Sequence, residues 1–157
     1  MTLLSVREWL AEHAPDVRLI ESHATTATVA EAAKALGVGP GRIAKTLSIR
    51  VGEQAFLLVA RGDARLDNAK CKAVFGGRPR MLGAEETEAL TGHPVGGVCP
   101  FGLASPLAIY CDQSLSGFDT VFPAAGSRNS SVEIAPGRLA EITKAAWVDA
   151  CVLPPER

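Results

Sequence analysis

Aromatic side chains are scarce in this chain: Phe, Trp and Tyr together make up 5% of its 157 residues. A platform that stacks several bases of a single strand needs rings in number, so that mode of binding is not expected. No apolar run approaches the ~20 residues of a membrane-spanning helix. The opening stretch, MTLLSVREWLAEH, mixes acids and an arginine among its apolar residues, unlike a signal peptide. The expectation is a cytoplasmic chain with no membrane partner. Cys71, Cys99, Cys111 and Cys151 include no C-x-x-C pair, which predicts reduced thiols rather than a disulfide framework. His13, His23 and His93 share no metal-ligand spacing with each other or with the cysteines, so neither metal nor cofactor is expected.

Net charge is also nearly absent, at −1, which argues against a general nucleic-acid binder. Its distribution is uneven. From Arg42 to Arg80 there are nine Lys/Arg against three Asp/Glu, and elsewhere seven against fourteen. The basic segment suits either a local face for phosphates or a set of solvated surface charges. With 47% hydrophobic and 21% charged residues, the chain reads as one domain over residues 1–157, large enough for a real core.

What the chain does have is a shaped loop. Gly92 to Gly102, GHPVGGVCPFG, holds four glycines and two prolines in eleven residues. It can run neither as a helix nor as a central strand. It reads as a long connection or as a loop whose main chain points at a ligand, and Val95, Val98, Cys99 and Phe101 favour the lining of a pocket.

Around it, residues 3–13 show helical spacing and Asp16 to Ser22 suits a short strand. Thr28 opens a helix with the capping-box pattern TVAE, and Gly37 stops it. IAKTLSIRV and FLLVA, separated by Gly52, read as a hairpin within a sheet. Lys45 lies at its entrance, as a snorkelling surface lysine or a fixed cation in a cleft. Asp67 is the expected N-cap of the next helix, and Lys70 in its first turns would suit an anion. A short strand at 79–82 and a helix at 84–90 lead into the glycine-rich loop. PLAIYCD, TVFPAA and SVEIA read as strands, the last two paired across the turn GSRN, and Pro136 opens a final helix. The expected class is α+β, with a mixed, largely antiparallel sheet flanked by helices.

Five pieces in order carry a resemblance: the helix ending in LGV, IAKTL with Lys45, RGDARLDNAK, TGHPVGGVCPFGL, and AAGSRNSSVEIAPGRL. From about Ala27 to Ile142 the chain resembles the YbaK-like, or prolyl-tRNA editing, family of aminoacyl-tRNA deacylase domains. The resemblance implies a barrel-like sheet and a cleft for the aminoacylated CCA end of a tRNA. It implies hydrolysis of the ester to a wrong small amino acid such as cysteine or alanine, with tRNA(Pro) the usual carrier and a synthetase as a possible partner. The lysine matching Lys45 and the loop matching Gly96 to Gly102 are the implied functional pieces. Some alanine-editing branches carry a histidine-proline-asparagine stretch near the late strand pair. Here that region reads PAAGSRNSSVEI, so the resemblance names no amino acid.

Ester hydrolysis needs a positioned water and donors for the tetrahedral oxyanion, which loop N–H groups can supply. Lys45, Gly97 and Gly102 form the expected catalytic set. Asp63, Lys70, His93, Gly96, Val98, Cys99, Pro100, Phe101, Ser127, Arg128 and Asn129 form the expected substrate-binding set. Asp63 could orient Lys45 or the ribose, or cap a turn; Ser127 to Asn129 could close the pocket or form a plain hairpin turn. Cys99 has no partner but His93 and reads as small, buried and inert. The rival readings are a non-catalytic module that binds an aminoacyl or nucleotide end and regulates a synthetase, and a hydrolase with Cys99 as nucleophile.

Overall fold

A computed structural model of the chain describes residues 2–154. In order they form α1 (Thr2–His13), β1 (Leu19–Glu21), α2 (Val29–Leu36), β2 (Ile43–Val51), β3 (Gln54–Arg61), β4 (Arg65–Leu66), α3 (Asn68–Phe75), β5 (Arg80–Met81) and α4 (Ala84–Thr91). These are followed by β6 (Ala108–Asp112), β7 (Phe122–Pro123), β8 (Ser130–Val132), α5 (Pro136–Thr143), β9 (Ala146–Val148) and β10 (Cys151–Val152).

The helix ends follow from local chemistry. Thr28 Oγ1 accepts the Glu31 N–H at 3.1 Å, and Gly37 closes α2 in the left-handed region. Asp67 Oδ2 accepts the Lys70 N–H at 2.9 Å and starts α3. Pro136 stands in the first turn of α5, where its missing N–H costs nothing.

β2 and β3 form the expected hairpin, antiparallel from Ala44↔Arg61 to Val51↔Gln54. They lie inside a mixed sheet of order β5-β2-β3-β6-β9, in which β3–β6 and β6–β9 run parallel. β3 is apolar on both sides because both are covered. Val59 packs with Val6 and Leu10 of α1, Leu139 of α5, Phe101 and Leu115, while Phe56, Leu58 and Ala60 pack with Cys71 of α3 and Ala150. The expected barrel-like closure is not found among the described residues. The sheet keeps two open ends because its edge strands are short, two residues at β5 and three at β9, and do not meet.

One irregularity positions the site. β5 and β7 share the outer edge of β2 but at opposite ends, β7 against Ile43–Ala44 and β5 against Ile49–Arg50. Between them, from Lys45 to Leu47, β2 pairs with no strand on that side among the described residues, while the Ser48 carbonyl accepts the Leu82 N–H at 3.0 Å.

Candidate active site

A cavity of about 230 Å³ fills this gap. β2 contributes Lys45, Thr46 and Ser48, the chain after β5 contributes Leu82, and β7 contributes Phe122. Thr26 to Val29, at the N-terminus of α2, close one side, and Val95, Gly96 and Val98 of the glycine-rich loop close another. Among the described residues, Lys45 is the only charged one in the lining, which includes no carboxylate. The positive end of α2 adds to the same sign of field.

Lys45 is half-buried, and its amine donates to the carbonyl of Ala64 in the turn after β3. An ammonium has three protons, so two remain for a ligand. Burial lowers the pKa of this amine, and the nearby Cys151 and Asp63 oppose the shift. Asp63 itself forms a two-pronged pair with Arg61, at 2.6 Å to Nε and 3.0 Å to Nη2.

The glycine-rich loop divides its residues between two jobs. Val95, Gly96 and Val98 reach the cavity. Cys99 and Phe101 are fully buried in the core beside α1, and the Phe101 ring lies 5.6 Å from that of Trp9. Pro100 and Gly102 line a second depression with Trp9 and His13. The Gly97 N–H turns back on the Pro94 carbonyl at 2.9 Å. Gly96 and Val98 line the cavity, and their N–H groups are given no backbone acceptor among the described residues.

The late turn holds this loop in place. Gly126 N–H donates to the Gly97 carbonyl at 3.0 Å, and Arg128 Nε donates to the Val95 carbonyl at 3.1 Å. The approach is so close that a Cβ on Gly97 would stand 2.7 Å from the Ser127 nitrogen. Gly96, with φ of +95°, adopts a backbone conformation that side chains resist. Ser127 Oγ is shared between Asn129 Oδ1, at 3.0 Å, and Ser130 Oγ, at 2.6 Å, while Asn129 Nδ2 donates to the Ser22 carbonyl at 3.1 Å. Ser127, Arg128 and Asn129 thus brace the wall from behind, and none of the three lines the cavity.

Lys70 is held elsewhere, by Asp149 Oδ1 at 2.8 Å and the Cys151 carbonyl at 3.0 Å. His93 is fully buried, and its Nε2 lies 2.7 Å from the Phe101 carbonyl, which can only accept. Nε2 therefore carries the proton and cannot take one from Cys99, whose Sγ lies 3.5 Å from the same nitrogen. Burial lowers the His93 pKa and pushes the Cys99 thiol up to about 12. This is a core contact between two neutral groups, not a nucleophile and its base.

Sequence reasoning missed the hydroxyls. Thr26, Thr46, Ser48, Thr87 and Ser131 all line the cavity. Thr46 sits beside Lys45 on a strand, the one local signal available; Thr26 and Ser131 come from distant segments and had none.

A lone lysine, a main-chain loop bent around it and a hydroxyl-lined hollow at an open strand edge have a counterpart among known families. The model described as "Aminoacyl-tRNA editing domain" matches residues 23–142, a span that holds every cavity-lining residue named above. The chain belongs to that family. Among relatives of this editing domain, the uncharacterized protein YwhH of Bacillus subtilis (strain 168) is 46% identical over 153 residues, covering 96% of this chain and 98% of that one. EbsC of Enterococcus faecalis, provisionally named a Cys-tRNA(Pro)/Cys-tRNA(Cys) deacylase, is 30% identical over 132 residues, covering 82% of this chain and 78% of that one. A crystal structure provisionally described as a trans-editing enzyme for prolyl tRNA synthetase superposes with a TM-score of 0.87 at 33% identity, covering 95% of this chain and 96% of that one. Among the described residues of this editing domain, no helix is long and apolar enough to cross a membrane.

Proposed function

We propose that this editing domain is a trans-acting deacylase that hydrolyses the ester between a wrong, small amino acid and the terminal ribose of a tRNA, most naturally tRNA(Pro). The observation that carries this reading is that Lys45 shares one small cavity with Gly96 and Val98 of the glycine-rich loop, and that its described lining includes no carboxylate.

In the reaction, a water oxygen adds to the ester carbonyl carbon and the carbonyl oxygen gathers negative charge. The intermediate then collapses, expelling the ribose oxygen, which takes up the proton that the attacking water gives up and becomes the free hydroxyl, while the amino acid is released as its free acid. The N–H groups of Gly96 and Val98 supply donors where that charge develops, held by the Gly126 and Arg128 bonds rather than recruited during reaction. The Lys45 ammonium serves as a fixed cation for the oxyanion or the terminal phosphate. With Cys99 protonated and His93 donating to main chain, catalysis rests on orientation and charge rather than on a covalent intermediate.

A pocket that must tell amino acids apart by one methylene achieves only ~10- to 200-fold discrimination, which is why a separate hydrolytic site for small misfits is useful. The experiment is single-turnover deacylation of tRNA(Pro) charged in turn with cysteine, alanine, serine, threonine and proline. Release of at least one wrong amino acid well above the protein-free rate, with Pro-tRNA(Pro) spared, is the expected result. Binding of all five without release would instead leave a module that recognises the charged end.

A further inference from the structure

The glycine-rich loop leaves α4 and returns as two arms, and the rungs between them stop early. Ser105 N–H donates to the Leu90 carbonyl at 3.1 Å, and Ala104 N–H to the Thr91 carbonyl at 3.0 Å. Nearer the tip, among the described residues, no backbone bond joins arm to arm; Gly97 to Pro94 is the tip's own turn. The next rung is a side chain. His93 Nε2 donates to the Phe101 carbonyl at 2.7 Å. The histidine is anchored at its root as well, since its backbone N–H donates to Thr91 Oγ1 at 3.0 Å, and that hydroxyl donates to the Thr87 carbonyl of α4 at 2.7 Å. Thr91, His93, Cys99 and Phe101 are all fully buried, so water does not stand in for a lost donor at the Phe101 carbonyl. The Cys99 thiol, 3.7 Å from that carbonyl, is too weak a donor to replace the imidazole. Burial lowers the His93 pKa and keeps the ring neutral, while its Nδ1 is buried without a partner. The rung to Phe101 is thus the ring's one strong polar contact, and His93 lines neither hollow.

Resting on the deacylase reading, we infer that His93 is a positioning residue for ester hydrolysis: its bond to the Phe101 carbonyl holds the returning arm of the loop and so fixes the main chain of Gly96 and Val98 against the cavity. Gly126 and Arg128 tie the tip from the other side. Without the rung, the Phe101 carbonyl is unpaired in the core, and the arm shifts to relieve it. Pro100, with its fixed backbone angle, passes that shift on towards Val98. A displacement of about 1 Å at a catalytic group costs about 100-fold in rate. A histidine that only filled space would be replaceable by any side chain of its volume. A positioning one is replaceable only by a side chain that puts an N–H in the same place. Glutamine does so, because its Nε2 stands as many bonds from the backbone as that of histidine, whereas the asparagine amide stops one bond short.

The test compares kcat and KM of His93→Leu, His93→Asn and His93→Gln with those of the unmodified protein, on the mischarged tRNA(Pro) that the latter releases fastest. Circular dichroism at the assay temperature confirms that each assayed variant is folded. His93→Leu and His93→Asn should lower kcat about 100-fold with far less change in KM, and His93→Gln should recover most of that loss. An unchanged kcat in folded His93→Leu would overturn the inference, and so would a folded His93→Gln as slow as His93→Leu. Either result leaves the deacylase reading intact, whereas an unmodified protein that releases no amino acid fails that reading and the inference with it. Should the variants not fold, nitrogen NMR of the unmodified protein decides, during titration with a charged-end mimic whose ester is replaced by an amide. The His93 Nε2–H resonance should shift on binding although His93 lines neither hollow; a resonance unmoved at saturation would overturn the inference.

Discussion

The amine of Lys45 donates to the carbonyl of Ala64, so the one cation of the cavity is anchored by main chain rather than by a carboxylate. An acid in that place would neutralise the charge the site presents. A carbonyl orients the amine and leaves its charge unspent.

Replacing this residue should therefore separate function from stability. Lys45→Met is expected to reduce deacylation by ~100-fold or more, the scale of losing one preorganised electrostatic group. Because burial disfavours the charged amine, the same change should leave the thermal midpoint unchanged or raise it. A variant that loses activity only because it melts would contradict the assignment; circular dichroism on the assayed protein decides.

The pH dependence has a definite sign. Burial lowers the Lys45 pKa from its ordinary 10.5, so the amine loses its proton earlier than a free lysine would. If the cation is the working form, the enzyme-dependent rate falls as pH rises through that lowered value, once hydroxide-driven hydrolysis is subtracted. Lys45→Arg should abolish this alkaline limb whatever rate it retains. For stability the sign reverses. Between the lowered value and 10.5 the unfolded chain holds the extra proton, so this residue's contribution improves with rising pH across that window.

Gly97 is predicted to be the least replaceable residue of the loop. A methyl there would meet the backbone of Gly126 and Ser127 at 2.7–2.9 Å, and backbone cannot step aside as a side-chain tip can. Gly97→Ala should cost about 1–3 kcal/mol by overpacking and should lower activity further by displacing Gly96 and Val98. Arg128→Ala, which frees only the Val95 carbonyl, should lower activity less and hardly move the denaturation midpoint. A reversed order of effects would mean that the turn does not shape the loop.

Thiol chemistry should leave the enzyme alone. All four cysteines are buried, and the Cys99 thiol is pushed up to about 12. Iodoacetamide is expected to spare the native protein's activity near neutral pH and to modify all four cysteines only after denaturation. Cys99→Ala should keep deacylation while lowering stability by about 1–3 kcal/mol through lost core contacts. Inactivation of the folded protein by alkylation would revive the cysteine nucleophile.

The parts legible in the sequence were those whose causes are local. Thr28, Gly37, Asp67 and Pro136 mark helix ends because capping depends on a few neighbouring residues. The turn at Gly52 sets the β2–β3 hairpin, and SVEIA does meet TVFPAA, through the antiparallel bridges Val121↔Ile134 and Ala124↔Ser131. What escaped depends on distance. β4, β9 and β10 are two or three residues long and carry no periodicity of their own. The parallel pairing of β3 with β6 joins residues such as Phe56 and Ala108, far apart in the chain, and nothing near either strand announces it. The same holds in the cavity. Lys45 and Gly96 stand out by type, whereas the Arg128 brace matters only because folding brings it to the loop. Cys99 and Phe101, conspicuous by their place in GHPVGGVCPFG, turn inward to the core, while Val98, Pro100 and Gly102 between and beside them face outward hollows.

The hollow owes its existence to a stretch of β2 that two short strands fail to reach. Its extent along β2 is therefore bounded by where β5 and β7 stop, while α2 and the glycine-rich loop form its other walls. Extending either of them by a residue pair would narrow the aperture, and trimming one would enlarge it, with the layers behind left undisturbed. Such a frame lets the size of the accepted ester drift while the fold stays put.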